Sequence, residues 1–329
     1  MLSSRLRNFA RVTPTLVLAL LAAGWALSAL GGDDQLLAVA AAELPVPAFG
    51  GLALLAVLGG VVARTWSAGV AALGCLAIAV VPLGGWNVPS LAAQPAQHTV
   101  LTCNVEQWSH GGDVVGRAFS ELAPDVFCLQ EAVSYDDIPG DPEWTAFRAA
   151  LPGYQLLRYG EIAIGTRWPV LEQQLVALSE GPEVRPLLDV TLRAPGGGSL
   201  HVISTHLVCA RYYGELPGAL VRSARGRRVQ VQRLLDHLAT VDGPVIVCGD
   251  LNTAPNSVAV SLLRRELADA WRLRGHGFGF TSWPLRRIDY LLVRGIELGE
   301  LQVLEQSLSD HRALSAGFTL AASLVMPQL

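Results

Sequence analysis

Hydropathy divides this chain in two. From Val12 to Trp86 nearly every position is apolar, Gly or Ala, whereas from about His98 onward apolar and polar positions interleave. Three apolar runs stand out in the first part, at 12–30, 44–63 and 68–85. Each is close to the roughly 20 residues that cross a hydrocarbon core of ~30 Å. They predict a membrane anchor of three transmembrane helices over residues 1–86. Two alternatives stay open: a cleaved signal peptide for the first run, and a buried hydrophobic hairpin of a soluble protein. The first run is long for a signal core, and two more runs follow it. Residues 87–97 (NVPSLAAQPAQ) are uncharged and aperiodic and read as a short linker. Residues 98–329 form one domain, large enough for its own core.

Within that domain short β-rich runs bounded by turn residues recur at 99–105, 126–130, 162–166, 187–192, 200–207, 245–248, 288–293 and 312–319. Helical periodicity is clearest at 229–238, with Val229, Val231, Leu234, Leu235 and Leu238 mostly on one face, and shorter at 117–122 and 258–265. Many strands and few helices predict an α+β domain, a two-sheet β-sandwich flanked by helices.

Charge refines this picture. Arg5, Arg7 and Arg11 precede the first run, Asp33 and Asp34 follow it, and Arg64 lies between the second and third. Basic flanks belong on the cytoplasmic side, so three crossings predict an extracytoplasmic catalytic domain. Trp25, Trp66 and Trp86 sit near the run ends as interfacial anchors would. The 24 basic residues are all arginine, and residues 98–329 carry 20 of them against 25 acids. That net negative charge disfavours nonspecific nucleic-acid binding. Cys103, Cys128, Cys209 and Cys248 fall in or beside predicted strands and fit no zinc spacing. They read as small buried hydrophobes, with a Cys103–Cys248 bridge left open.

Six segments share one form, an apolar run ending in a carboxylate, amide or imidazole. They end at Asn104, Glu131, His206, Asp250-Leu251-Asn252, Asp289 and Asp310-His311. A hard divalent ion takes oxygen ligands, an attacking water takes a base, and a phosphoryl group gaining charge takes donors. This set offers all three. Gly249 beside Asp250 reads as room for a phosphate to approach.

The six segments in this order, with Thr281–Pro284 ahead of Arg287-Ile-Asp289-Tyr, resemble the endonuclease/exonuclease/phosphatase superfamily. The likeness runs from about Thr99 to Thr319. It implies a DNase I-like fold and an Mg²⁺ site, Mn²⁺ being the alternative ion. It implies Glu131 as principal metal ligand, with Asn104 and Asp310 contributing. It implies Asp250 as the group acting on water, Asn252 on a phosphate oxygen, and His311 as a donor oriented by Asp289. His206 would be the second histidine, with Glu161 as its partner. Leu251 stands where Phe is commoner.

Other polar residues carry blander expectations. His98, His110, His201, His237 and His276 read as structural or surface. Arg222, Arg225, Arg227 and Arg228 read first as a solvated face, with an anionic contact as the alternative; Arg185 and Arg211 are candidates for the substrate mouth. The helical segment followed by this domain also resembles bacterial teicoplanin-resistance membrane phosphatases, implicated in undecaprenyl pyrophosphate recycling. The expectation is therefore a membrane-bound phosphoesterase acting on a lipid-linked or membrane-proximal phosphate. An extracytoplasmic nuclease or phospholipase-type phosphodiesterase and a non-catalytic binding module are the alternatives. No protein partner can be read from the sequence.

Overall fold

The computed structural model describes residues 4–30, 32–44, 46–81, 85–89, 95–134, 140–179, 185–283 and 285–320. Helices α1 (Ser4–Leu30), α2 (Leu36–Glu43), α3 (Val46–Ala63) and α4 (Trp66–Val80) form the N-terminal segment. Val17 and Leu21 of α1 meet Phe49, Ala53 and Ala56 of α3 and Cys75 and Ala79 of α4 in one apolar cluster. Small residues permit the close approach: the Gly59 Cα faces the Ala10 carbonyl and Pro14 ring, and Gly60 faces Ala68. Leu16, Leu20, Leu54, Leu58 and Leu73 point outward and are exposed.

The expectation of three membrane-spanning helices is corrected here. Among the described residues one helix, over Asn8–Ser28, is long and apolar enough to cross alone. The second run folds as α3, and the preceding α2 meets it at a bend of 87°, so the pair is at most one broken span. Leu44, which precedes Pro45 in the sequence, is extended with ψ of 134° and ends α2, as proline disfavours helical geometry in the residue before it, and Pro47 suits the first turn of α3. The third run yields only the 15 residues of α4, about 22 Å of helix at 1.5 Å per residue, short of the hydrocarbon core.

The remaining chain alternates β1 (His98–Asn104), α5 (Gly112–Leu122), β2 (Val126–Gln130), α6 (Pro142–Ala149), β3 (Gln155–Tyr159), β4 (Ile162–Thr166), β5 (Val170–Ala177), β6 (Pro186–Arg193) and β7 (Ser199–His206). There follow α7 (Gly218–Leu238), β8 (Val245–Asp250), α8 (Val258–Leu263), β9 (Ala268–Asp269), α9 (Ala270–Arg274), β10 (Asp289–Arg294), β11 (Ile296–Ser307) and β12 (Arg312–Leu320). Two six-stranded sheets result, ordered β11-β12-β1-β2-β4-β3 and β9-β10-β8-β7-β6-β5. Their arrangements correspond. Each has a central parallel pair, β1 with β2 and β7 with β8. Each pair has an antiparallel neighbour on its other flank, β12 against β1 and β10 against β8.

Alternation along these strands builds three layers of core. Val100, Cys128, Ile164, Val202, Cys248 and Leu291 fill the space between the sheets. Cys103, Phe127 and Leu129 face outward beneath Phe119 of α5 and Phe147 of α6. Ile203, Val247 and Leu292 face outward on the second sheet beneath Val231 and Leu234 of α7 and Val260 of α8. The two-sheet sandwich flanked by helices is thus borne out. The open Cys103–Cys248 bridge is not formed; all five cysteines are free. Its two thiols belong to different core layers, as the period of 2 along a strand dictates.

Elements that lacked a strong period went unread: β3, β5, β9, β11 and the helices α2, α6 and α9. Helix α7 begins 11 residues before the predicted start. The linker is anchored at its first residue, where Asn87 and Gly277 exchange two backbone bonds of 2.9 Å; residues 90–94 of it, the chain end at 321–329 and Pro284 lie outside the described residues.

Candidate active site

The parallel pairs deliver the site. Asn104 ends β1 and Glu131 directly follows β2, while Asp310 and His311 directly precede β12, so all four belong to one edge of the first sheet. In the second sheet His206 and Asp250 end β7 and β8 in register, and Asp289 opens β10 opposite Asp250. The same edges of the two sheets meet, and Asn104 joins them. Its Nδ2 donates to Glu131 Oε1 and to Asp250 Oδ2, both at 3.1 Å.

Local backbone shape aims the groups. Glu131 turns out of β2 with φ of 54°, and Asn252 leaves the β8 loop with φ of 50°, conformations that non-glycine residues adopt at a cost. Asn252 is held by its own N–H to Asp250 Oδ1 at 2.8 Å and by Nδ2 to the Leu207 carbonyl at 2.9 Å. Gly249 has a different reason from the one expected. A Cβ there would collide with the Thr205 carbonyl of β7, so its small size serves strand approach rather than phosphate entry.

The two histidines hold opposite charge states. His206 is buried, and desolvation is the largest influence on it, lowering its pKa to about 4, with the Arg185 cation adding to the effect. Asn252 Nδ2 lies 3.0 Å from His206 Nε2, and Glu161 Oε1 lies 3.1 Å from Nδ1. A neutral ring protonated at Nδ1 satisfies both contacts. For His311 burial also opposes the charge, but Asp289 and then Asp250 and Asp310 outweigh it and raise its pKa to about 10. Its Nδ1 is 2.8 Å from Asp289 Oδ2, and its Nε2 faces Asp250 Oδ2 at 3.8 Å. His311 is therefore a cation at neutral pH.

The carboxylates differ too. Burial raises the pKa of Asp250, and the nearby Asp289 adds to it. Burial also works against the charge on Glu131, but His206, Asn104, Arg211 and Gln107 together bring its pKa below the ordinary value. Asp310 is raised by burial, although its side chain is about half exposed at the rim.

Donor chemistry fits a hard cation. Asp250, Asp289 and His311 offer ligand atoms within 4.8 Å of one another, and Glu131 Oε1 lies across Asn104 from Asp250. Asp289 Oδ1 is buried with no partner among the described residues. A protonated His311 is a poor ligand, so the carboxylates Glu131, Asp250 and Asp310 are the better donors, an oxygen-rich set suited to Mg²⁺ or Mn²⁺. Asn104 is arranged differently from its expected ligand role. Its Oδ1 accepts from the Glu106 N–H at 3.0 Å and its Nδ2 faces the carboxylates; turning the amide over would present oxygen instead.

All eight expected residues thus converge, and Glu161 pairs with His206 as expected. Arg185 does not line the mouth; it is buried beneath His206, bonded to Glu161 and 3.0 Å from His206 Nδ1. The arginine cluster is also no simple solvated face. Arg227 is buried and bonded to Glu43, and Arg225 pairs with Asp34. Sequence reading missed Gln107, which donates to Glu131 Oε2 at 3.3 Å, and Arg286. Arg211 does reach the site, 3.6 Å from Glu131. A cleft of 500 Å³ opens over these groups, walled by Gln107, Arg211, Asn252, Ser282 and Arg286.

Comparisons agree with this geometry. Solved structures with the same fold include an endonuclease/exonuclease/phosphatase from Beutenbergia cavernae, 23% identical with a TM-score of 0.55, covering 69% of this chain and 72% of that one. A mannosyl-6-phosphatase of Bacteroides thetaiotaomicron is 17% identical with a TM-score of 0.54, covering 68% and 100% of the two chains. The catalytic domain of human Nocturnin with bound sulfate is 19% identical with a TM-score of 0.55, covering 70% and 95%. No curated protein matches the sequence significantly. The family profile described as Endonuclease/Exonuclease/phosphatase matches residues 85–311, and the chain belongs to that family of metal-dependent phosphoesterases.

Proposed function

We propose that this protein is a membrane-anchored, Mg²⁺-dependent phosphoesterase that hydrolyses a lipid-linked or membrane-proximal phosphate. The observation that carries the chemistry is the meeting of Glu131 and Asp250 at the seam of the sheets, between a neutral His206 and a cationic His311. Glu131 and Asp310 would hold the ion, with Asn104 positioning Glu131. When bound, the ion supplies positive charge to a phosphoryl oxygen. Asp250, its pKa raised by burial, orients the attacking water and takes its proton. Neutral His206 accepts from Asn252 Nδ2 at its Nε2 and so fixes that amide at the cleft wall, and His311, kept charged by Asp289, donates from Nε2 to the oxygen that gains charge.

The anchor rests on α1, whose Asn8–Ser28 stretch can cross a bilayer, and on the outward leucines of α1, α3 and α4, an apolar surface that calls for a covering. Arg5, Arg7 and Arg11 favour a cytoplasmic N-terminus. The chain after α1 meets the catalytic domain directly, Asp33 and Asp34 pairing with Arg228 and Arg225. This supports a catalytic domain on the outer side, close to the lipid surface. Undecaprenyl pyrophosphate is the first substrate to assay. A second reading, an extracytoplasmic nuclease or phospholipase-type phosphodiesterase, draws on Arg211 and Arg286 at the cleft, which would also suit a polyanion.

Purified full-length protein with Mg²⁺, offered undecaprenyl pyrophosphate, sphingomyelin and plasmid DNA, is expected to release phosphate from the first. Robust DNA cleavage without lipid-phosphate release would overturn the reading in favour of the second. A reporter fused to the C-terminus tests the topology, and a cytoplasmic signal would contradict the outer placement.

A further inference from the structure

We infer that Glu43 of the N-terminal helical segment is a positioning residue for the active-site cleft: it fixes Arg286, which receives the substrate's phosphate. The inference rests on the phosphoesterase reading above. Glu43 ends α2, far from the site in sequence, yet its carboxylate is buried against the catalytic domain. Oε1 accepts from Arg227 Nη2 at 2.7 Å and from Thr253 Oγ1 at 2.6 Å, and Oε2 accepts from Arg286 Nη2 at 2.9 Å. Thr253 adjoins Asn252, and Arg286 walls the cleft over Asp250 and His311. One carboxylate from the helical segment therefore braces two sides of the cleft wall.

Arg286 has few other restraints on its side chain. Its Nε is buried without a partner among the described residues, so the Glu43 bond anchors the guanidinium. Its backbone is tied to the catalytic groups: Arg286 and Ser282 exchange N–H···O bonds of 2.9 and 3.0 Å, and Ser282 bridges to His311. Thr281 in the same turn accepts from the Asp289 N–H at 3.2 Å. Two guanidiniums share one carboxylate here, which leaves net positive charge beside the cleft, complementary to a phosphate. Elsewhere Asp34 pairs with Arg225 at the surface, and the buried Asp33 lies 3.9 Å from Arg228.

The test uses full-length protein with Mg²⁺, read by steady-state hydrolysis of undecaprenyl pyrophosphate and by calorimetric binding of inorganic phosphate. Glu43→Gln is expected to raise KM and weaken phosphate binding about tenfold, the scale of one charge-assisted hydrogen bond, with kcat within about twofold. Glu43→Asp, which keeps the charge but draws the carboxylate one methylene back from Arg286, gives the same rise if the Gln variant does not fold. Arg286→Gln reproduces the effect, and the double variant is no worse than Arg286→Gln alone. Asp34→Asn, which loosens docking only, leaves both readouts unchanged. An unaltered KM and phosphate affinity in both Glu43 variants, multiplicative effects in the double variant, or an equal rise in Asp34→Asn would overturn the inference. If wild type binds phosphate with this variant pattern but leaves the lipid intact, the positioning role stands and the lipid-substrate reading falls.

Discussion

His311 and Asp289 belong to different sheets, His311 at the entry to β12 and Asp289 at the start of β10, and they meet at 2.8 Å between Nδ1 and Oδ2. The bond crosses the sandwich seam at the site itself. It fixes the orientation of the imidazole, and with the charge of Asp250 and Asp310 it keeps the ring protonated, its pKa raised to about 10. Nε2 is left as a donor toward the cleft.

Replacing Asp289 with Asn should therefore lower kcat by about 10²-fold or more while the fold persists, because the donor loses its charge near neutral pH. Histidine NMR should show His311 titrating well below about 10 in the variant. A variant with near-native kcat would remove His311 from the proposed mechanism.

The Asp250 carboxylate is buried and, among the described residues, accepts from Asn104 Nδ2 and the Asn252 N–H. Asp250→Ala should reduce turnover by about 10³-fold or more with circular dichroism unchanged. Chelation should silence the wild type, and added Mg²⁺ or Mn²⁺ should restore it. Activity that survives exhaustive chelation would contradict a metal-dependent reaction.

Gly249 admits the Thr205 carbonyl where β7 and β8 run side by side. Gly249→Ala would push this backbone aside at the point where His206 and Asp250 are neighbours. We expect a loss of about 1–3 kcal/mol of stability, typical of overpacking, together with reduced activity, both measured on purified protein. Equal denaturation midpoints for variant and wild type would show that the strands yield without cost.

Asp269 offers a stability test away from the site. It is buried and bonded to Arg287 at 2.8 and 3.0 Å and to Arg264 at 2.5 Å. Desolvation opposes its charge, but Arg287 and then Arg264 outweigh it and hold the pKa far below 3.8. Such a group stabilises the fold fully above its unfolded pKa, and that contribution erodes as pH falls below about 3.8 toward the folded pKa. Asp269→Asn should cost about 3–5 kcal/mol at pH 7 by stranding two arginines, and the gap from wild type should narrow in acid. A gap that widens as pH falls would reverse the assigned sign.

How much of this was legible beforehand follows from where each signal lies. The strands ending at Asn104, Gln130, His206 and Asp250 are short, apolar and bounded by polar residues, so pattern alone exposes both the strand and its chemical terminus. Strands β3 and β5 lie at sheet edges, one face open to water, and their sequences QLLRY and VLEQQLVA carry no continuous apolar run. Gln107 and Arg286 sit in irregular turns, where side-chain direction follows from backbone angles that no periodicity reports.

By itself the sequence determined which segments are apolar, where the strands built on apolar runs lie, and which acids, amides and imidazoles stand at their ends, because those signals are local. It left the membrane segment overcounted, since length and hydropathy do not reveal the bend of 87° between α2 and α3. Only the tertiary structure decided that His206 is neutral while His311 is charged, because burial and partners set a pKa, and those partners come from other strands. The site opened on six strand ends, and tertiary structure added a reach from outside them: Glu43 bonded to Arg286 across 243 residues. Contacts over such separations leave no trace in local pattern, since they exist only once the sheets have closed.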